Sequence, residues 1–328
     1  MASSFLGRVQ GVAETASAAG RKRQITGLWQ RVTLEQLGIA TVILGYILIL
    51  IGGVVRIEGA GMGCGDDWPI CNGKVIPTFN YLTAIEYIHR VVAGLVLLLT
   101  TGLTIVAWRT TPASDVRRWL SAAALILVLA QAGLGAITVF AELDPRAVTA
   151  HLGMAQAYFA IVIVIALYGS QTVRRGTVHG STAIARSAVV ACGTTFVLLL
   201  TGAYTASSGA AWACPTWPLC GDKYVPTGWS LVDIHVLHRW LVMLAFAAIV
   251  WLVVTAIRDA GIGAPLTLVA LAALGFTLIE TLVGAANIWL ELADWVRISH
   301  LGIATLVWGC LVTAAVLNAR ALARQHQA

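Results

Sequence analysis

Glu86-Tyr87-Ile88-His89-Arg90 sets a carboxylate, an imidazole and a guanidinium at the head of a long apolar run that reaches Trp108. Glu86 and His89 are three residues apart and share one helical face. His238-Arg239 heads a second apolar run 149 positions further on, and His151-Leu152-Gly153 recurs as His300-Leu301-Gly302 at the same offset. Ionisable groups in apolar helices are costly and mark functional sites by default. A lone histidine there is most simply an interfacial side chain, but two pairs at one fixed offset are poorly explained that way. Imidazole is a ligand for haem iron, and two imidazoles facing each other across a bundle hold one iron from both sides. The candidate pairs are His89 with His151 and His238 with His300. Gly94, Gly153, Ala155, Gly302 and Ala304 would let a macrocycle come close to backbone.

The neighbours of these histidines have two readings each. Arg90 and Arg239 suit the carboxylates of a haem, since guanidinium pairs well with carboxylate; otherwise they, with Lys74 and Lys223, are interfacial anchors that snorkel to the polar boundary. Glu86 has His235 as its counterpart, so the halves differ at this place. Glu86 is then a proton acceptor or a stabiliser of positive charge, or else a solvated carboxylate. His235 is a further ligand or, more simply, a surface residue. Gln131 and Glu280 match each other inside helices and are expected to bond across the bundle, with a proton route through Glu280 as the sharper alternative.

Cys64 and Cys71 lie in one long loop, Cys214 and Cys220 in its counterpart, with six and five residues between them. Zinc and dithiol motifs usually have two. Two disulfides within the loops are expected, on the oxidising side of a membrane. Cys192 and Cys310 fall inside apolar runs and read as packing thiols.

The elements that must position these groups follow from hydropathy. Of 328 residues, 59% are hydrophobic and 11% charged, and mean hydropathy is +0.84, whereas soluble domains carry roughly 25% charged residues. The chain reads as an all-α polytopic membrane protein in a lipid bilayer. Its net charge of +6 reflects short basic loops rather than nucleic-acid binding. Eight runs are long enough to span, near 37–56, 84–108, 119–141, 147–169, 184–206, 233–257, 264–288 and 297–318, at roughly 20 residues per crossing. Fourteen lysines and arginines fall on one side of this arrangement and four on the other. The positive-inside rule then puts both termini in the cytoplasm and the histidines near the outer face of the plasma membrane. The 149-residue offset also relates Trp68-Pro69-Ile70-Cys71 to Trp217-Pro218-Leu219-Cys220 and Gly135-Ala136 to Gly284-Ala285. This is a duplication of a half-chain unit, not a solenoid. With an even number of helices per unit, the halves are expected to be parallel, pseudo-symmetric four-helix bundles. The expected division is a basic tail 1–36, a first bundle 37–169, a cytoplasmic linker 170–183, a second bundle 184–318 and a tail 319–328.

Over residues 37–318 these motifs resemble the haem A synthases, of the type with cysteine pairs in the outer loops. The resemblance rests on Glu86-x-x-His89-Arg90, His151, His238-Arg239, His300 and the Cys64/Cys71 and Cys214/Cys220 loops. It implies eight helices in two bundles and oxidation of the C8 methyl group of haem O to a formyl group, giving haem A for terminal oxidases. It further implies that haem b sits between His238 and His300 near Arg239, that haem O enters near His89, His151 and Arg90, and that Glu86 is required for the oxidation. The first-loop cysteines would be linked to electron transfer. Partners implied are haem O, the haem O synthase and a quinone or other electron acceptor; a homo-oligomer is compatible with the reading. The 36-residue tail and His235 depart from the usual pattern. Two other functions compete: a bis-histidine b-type cytochrome exchanging electrons with quinone, and a porphyrin carrier. The Glu86/His235 difference favours the oxidising enzyme, because a plain electron carrier has less need of unequal halves. Prenyl transfer to haem is disfavoured, as no paired aspartate motif for a magnesium diphosphate is present.

Overall fold

The computed structural model describes residues 33–170 and 179–325. The expected basic tail with Arg8, Arg21, Lys22, Arg23 and Arg31, the linker arginines Arg174 and Arg175, and residues 326–328 lie outside the described residues. Among the described residues, eight helices are long and apolar enough to cross a membrane: α1 (Leu34–Ile57), α2 (Tyr81–Thr110), α3 (Val116–Phe140), α4 (Pro145–Gly169), α5 (Thr182–Ser207), α6 (Leu231–Ala260), α7 (Pro265–Trp289) and α8 (Asp294–Gln325). Every expected span is found. The first begins at Leu34 rather than 37, and the last runs on to Gln325, through residues expected to be tail.

Local sequence sets the helix starts. Thr33 and Gln36 form a capping box on α1, with the Gln36 N–H donating to Thr33 Oγ1 at 3.2 Å and the Thr33 N–H to Gln36 Oε1 at 3.1 Å. Asn80, Asp115, Asp144 and Ser181 each accept from a first-turn backbone N–H of α2, α3, α4 and α5. Ser230 and Asp233 form a second capping box on α6, and Pro145 and Pro265 open α4 and α7, where a missing N–H costs nothing. Leu98, Ile126 and Val189 stand exposed on the outside of the bundle, as lipid as solvent permits. Helices are suited to that solvent because they satisfy their own backbone groups.

Helices α1 to α4 pack as a ring of neighbours, and α5 to α8 pack as another. The two groups meet through α1 and α4 on one side and α5 and α8 on the other. The first core is centred on Leu103, Val162 and Ile165, and Trp308 and Val312 of α8 belong to it. The second is centred on Ile249, Leu252 and Leu311. Gly38 lets α1 approach α4 closely, because a Cβ there would lie 2.8 Å from the Cα of Ala166. Small residues at such crossings let backbones meet where no hydrophobic force drives helices together.

Contacts between the groups pair positions related by the repeat. Gln156 Nε2 donates to Thr305 Oγ1 at 2.9 Å, across a separation of 149 residues. Arg56 Nη2 donates to the carbonyl of Ala206 at 3.0 Å, across 150. Gly153 faces Leu200, and Gly302 faces Leu50. The offset changes from 150 before the cysteine loops to 149 after them. The cause is that Cys64 and Cys71 are separated by 7 positions and Cys214 and Cys220 by 6.

Candidate functional site

All four histidines line one cavity of about 1410 Å³, which runs through both helix groups at the end carrying the cysteine loops. Ordinary ligand pockets are roughly 300–1,000 Å³, so this one has room for more than a single small molecule. His89 and His151 stand on its α1–α4 wall, His238 and His300 on its α5–α8 wall. Each imidazole rests on a glycine of an adjacent helix. A Cβ on Gly52 or Gly202 would lie 3.1 Å from Cε1 of His89 or His238, and one on Gly135 or Gly284 would lie 3.3 Å from Cε1 of His151 or His300. The glycines thus make room for the rings and set their tilt.

Among the described residues, the Nδ1 atoms of His89, His151, His238 and His300 are all buried without an aligned hydrogen-bond partner. Buried polar atoms are rarely left so, and each such case calls for an explanation. His300 differs. Its Nδ1 lies 2.8 Å from Glu280 Oε1, although the ring is not aligned for a hydrogen bond along that line. Its side chain is 34% accessible, and that surface is cavity wall. Gln131, at the position matching Glu280, instead donates from Nε2 to the carbonyl of His151 at 2.9 Å.

The cysteine loops close the same end of the cavity. Cys64 is bonded to Cys71 and Cys214 to Cys220, as expected. Each loop turns back through a short backbone bridge, Cys71 with Lys74 and Cys220 with Lys223. Trp68, Pro69, Trp217 and Pro218 reach the cavity from these loops. Both loops are pinned by the arginine that follows the histidine. Arg90 Nη1 donates to the carbonyls of Asp67 and Ile70 at 2.8 and 2.7 Å. Arg239 donates to those of Pro218 and Thr216, both at 2.9 Å. Both guanidinium groups line the cavity, yet much of their hydrogen-bonding capacity is taken up by loop carbonyls. Lys223 lies 2.9 Å from Asp233, and Lys74 donates to Thr78 at 3.5 Å.

Glu86 is buried, at 4% exposure, and lines the cavity. Its Oε1 takes Arg90 Nη2 at 2.5 Å, and its Oε2 accepts the Cys64 N–H at 2.8 Å. A carboxylate offers about four acceptor sites, so both oxygens keep capacity beyond these bonds. The group is not a solvated surface carboxylate. His235, its counterpart, is buried too and places Nδ1 3.0 Å from the carbonyl of Ala210. It is therefore not the surface residue favoured from sequence.

Sequence reading passed over Arg56 and treated Arg297 only as a loop charge. Both line the cavity, Arg56 from the last turn of α1 and Arg297 from the first turn of α8. Among the described residues, the Arg56 side chain has one hydrogen bond, to the Ala206 carbonyl, and no carboxylate partner; Arg297 pairs with the exposed Asp294 at 3.2 Å. Thr205 Oγ1 and Asn287 Oδ1 are buried, without partners, and belong to the same wall. The one available signal for Arg56 was its position, a charge set at the end of an unbroken apolar run.

Fold and cavity together define a multi-pass membrane protein with two histidines on each wall of one internal chamber. The chamber, the glycine seats and the two imidazoles on each wall fit a pair of planar iron tetrapyrroles. The sequence matches the family COX15-CtaA, cytochrome oxidase assembly protein, over residues 35–80 and 78–312, and the chain belongs to that family. It is 33% identical over 199 residues to the haem A synthase of Alkalihalophilus pseudofirmus, covering 59% of this chain and 66% of that protein. It is 32% identical over 232 residues to the haem A synthase of Shouchella clausii, covering 68% and 77%.

Proposed function

We propose that this chain converts haem O to haem A by oxidising the C8 methyl group to a formyl group. The observation that carries the reading is the pair of duplicated histidine sites, glycine-seated and facing one chamber, in a member of a cytochrome oxidase assembly family whose relatives are named haem A synthases. His238 and His300 hold a haem b cofactor, which supplies one-electron redox chemistry when bound. His89 and His151 receive haem O.

Three differences between the halves support that assignment of cofactor and substrate. Glu86 stands beside the first pair, and the second has His235 there. Gly94 and Gly133 open the wall of the first site, with nothing within 4 Å of a Cβ at either; the matching positions carry the larger Met243 and Leu282. Gln131 stands where the second half has Glu280. A site with a carboxylate and open walls suits a substrate that must enter, react and leave. A plain b-type cytochrome or a porphyrin carrier has no need of these differences.

Turning a methyl into a formyl group is a four-electron oxidation that also adds one oxygen atom: taken from water, it releases four protons and four electrons, and the electrons pass to an external acceptor such as a quinone. Glu86 is the proton acceptor, held toward the chamber by Arg90 and the Cys64 N–H. Arg90 and Arg239 clamp the cysteine loops over the two sites and shield them from water. Arg56 and Arg297 supply positive charge for the haem carboxylates, which Arg90 and Arg239, tied to loop carbonyls, serve less well. The two helix groups are related by a pseudo-twofold axis along the membrane normal, a placement supported by the paired contacts at offsets of 149 and 150. The charge asymmetry of the loops supports a cytoplasmic location for both termini, with the chamber toward the outer face of the plasma membrane.

The test is conversion. Membranes containing this chain, supplied with haem O, should yield haem A on extraction and chromatography; haem O recovered unchanged, with haem b present, would favour the electron-carrier reading.

A further inference from the structure

Among the described residues, His300 is the one of the four chamber histidines with a carboxylate at its Nδ1, from Glu280 at 2.8 Å. We propose that Glu280 is a positioning residue that makes His300 the strongest iron ligand of the four, so that the second site retains its haem while the first releases its own. The inference rests on the assignment of cofactor and substrate given above.

Packing alone does not account for Glu280. Its Oε2 is buried without a partner, and a carboxylate inside a spanning helix is costly to bury even when fully bonded. Gln131 occupies the matching place in the first half and secures its helix by donating to the His151 carbonyl. A neutral amide therefore suffices to bridge α3 and α4, as the carboxylate bridges α7 and α8. What the amide lacks is the ability to accept a proton from, or place negative charge on, the imidazole nitrogen away from the iron.

That ability has a defined consequence. A carboxylate set against the second nitrogen of a ligating histidine favours the tautomer with its proton on that nitrogen, limits the ring's orientation, and makes the imidazole more basic toward the metal. More electron density at the ligand favours the ferric over the ferrous ion and strengthens the iron–nitrogen bond. His151 has no carboxylate at its Nδ1, because Gln131 stands in that place and donates to the backbone carbonyl instead. The two sites share glycine seats and paired imidazoles but differ in grip. A cofactor has to stay through many cycles; a substrate has to depart once oxidised.

The experiment uses the full chain in detergent, loaded with hemin. Glu280→Gln should keep a low-spin bis-histidine spectrum that depends on His238. Its haem midpoint potential should rise, and haem should pass to a haem-scavenging protein roughly 10–100 times faster, as expected when the usual 10–100-fold loss of metal affinity on removing such an outer partner falls on dissociation. Glu280→Asp should recover part of both. The reciprocal change Gln131→Glu serves if Glu280→Gln binds no haem: it should slow release from the His89/His151 site and lower that haem's potential. Unchanged potential and release in Glu280→Gln, or unchanged release in Gln131→Glu, would overturn the proposal. A wild-type spectrum that His238→Ala leaves intact would instead overturn the cofactor assignment, so the two failures are told apart.

Discussion

Replacing Glu86 by glutamine should abolish haem A formation and leave the protein folded, and the site geometry sets the size of both effects. The carboxylate accepts from two donors, Arg90 Nη2 at 2.5 Å and the Cys64 N–H at 2.8 Å. A glutamine amide has one acceptor and one donor end. In either orientation its NH2 faces Arg90 or the Cys64 N–H, donor against donor, and one contact is lost. A hydrogen bond to a charged group contributes about 1.5–3 kcal/mol. The cost stays in that range rather than the roughly 3–5 kcal/mol of a broken buried ion pair. Arg90 is 15% exposed and keeps the carbonyls of Asp67 and Ile70, so its charge is not orphaned. With net stabilities of about 5–15 kcal/mol, the fold survives. The chemical loss is larger, because removing a general base typically costs ~10²–10⁴-fold in rate. The assay pairs chromatography of extracted haems, from cells that also make haem O, with the thermal midpoint and haem b spectrum of the purified variant. The expected result is a modest fall in midpoint, a retained haem b band and little or no haem A. Near-normal haem A output from Glu86→Gln would refute the proton-acceptor role and leave Glu86 as a brace between the disulfide loop and α2.

His238→Ala or His300→Ala should remove the tightly held haem b, read as loss of the low-spin absorption bands; a normal spectrum in both variants would sink the assignment of that site. Mass spectrometry of unreduced peptides should recover Cys64 linked to Cys71 and Cys214 linked to Cys220, with cross-pairing or four free thiols as the contrary result. Opening either bridge by paired serine substitution should lower stability by roughly 2–3 kcal/mol under the chain-entropy relation for so short a loop. Gly38→Val should cost about 1–3 kcal/mol by overpacking, since the added Cβ meets the Ala166 backbone at 2.8 Å and backbone yields poorly. Its signature is a lower melting point in detergent without a change in which haems are bound, and an unaltered midpoint would count against the close α1–α4 crossing.

Sequence by itself determined the spans and picked out the histidines that line the chamber. A bilayer accepts only segments that bond their own backbone and show apolar side chains to lipid, so hydropathy and length mark each crossing with little room for alternatives. Duplication did the rest: a shared offset singles out His89, His151, His238 and His300 from a chain of apolar residues, and the cysteine pairs travel with them. Boundaries were less legible, because α8 continues to Gln325 on residues such as Ala321 and Leu322 whose polar neighbours mask the helix in a hydropathy window. The tertiary structure alone decided what the polar groups do. Arg90 and Arg239 stand next to chamber histidines in the chain, yet they point part of their donors at loop carbonyls 20 or more positions away. Glu280 is 20 residues from His300, on another helix, and its meeting with Nδ1 depends on how α7 and α8 cross. Arg56 finds its partner, Ala206, in the other half of the chain. Hydropathy registers which residues must avoid lipid, but a side chain's partner is set by helix rotation and crossing, which small differences in packing decide and no local pattern encodes.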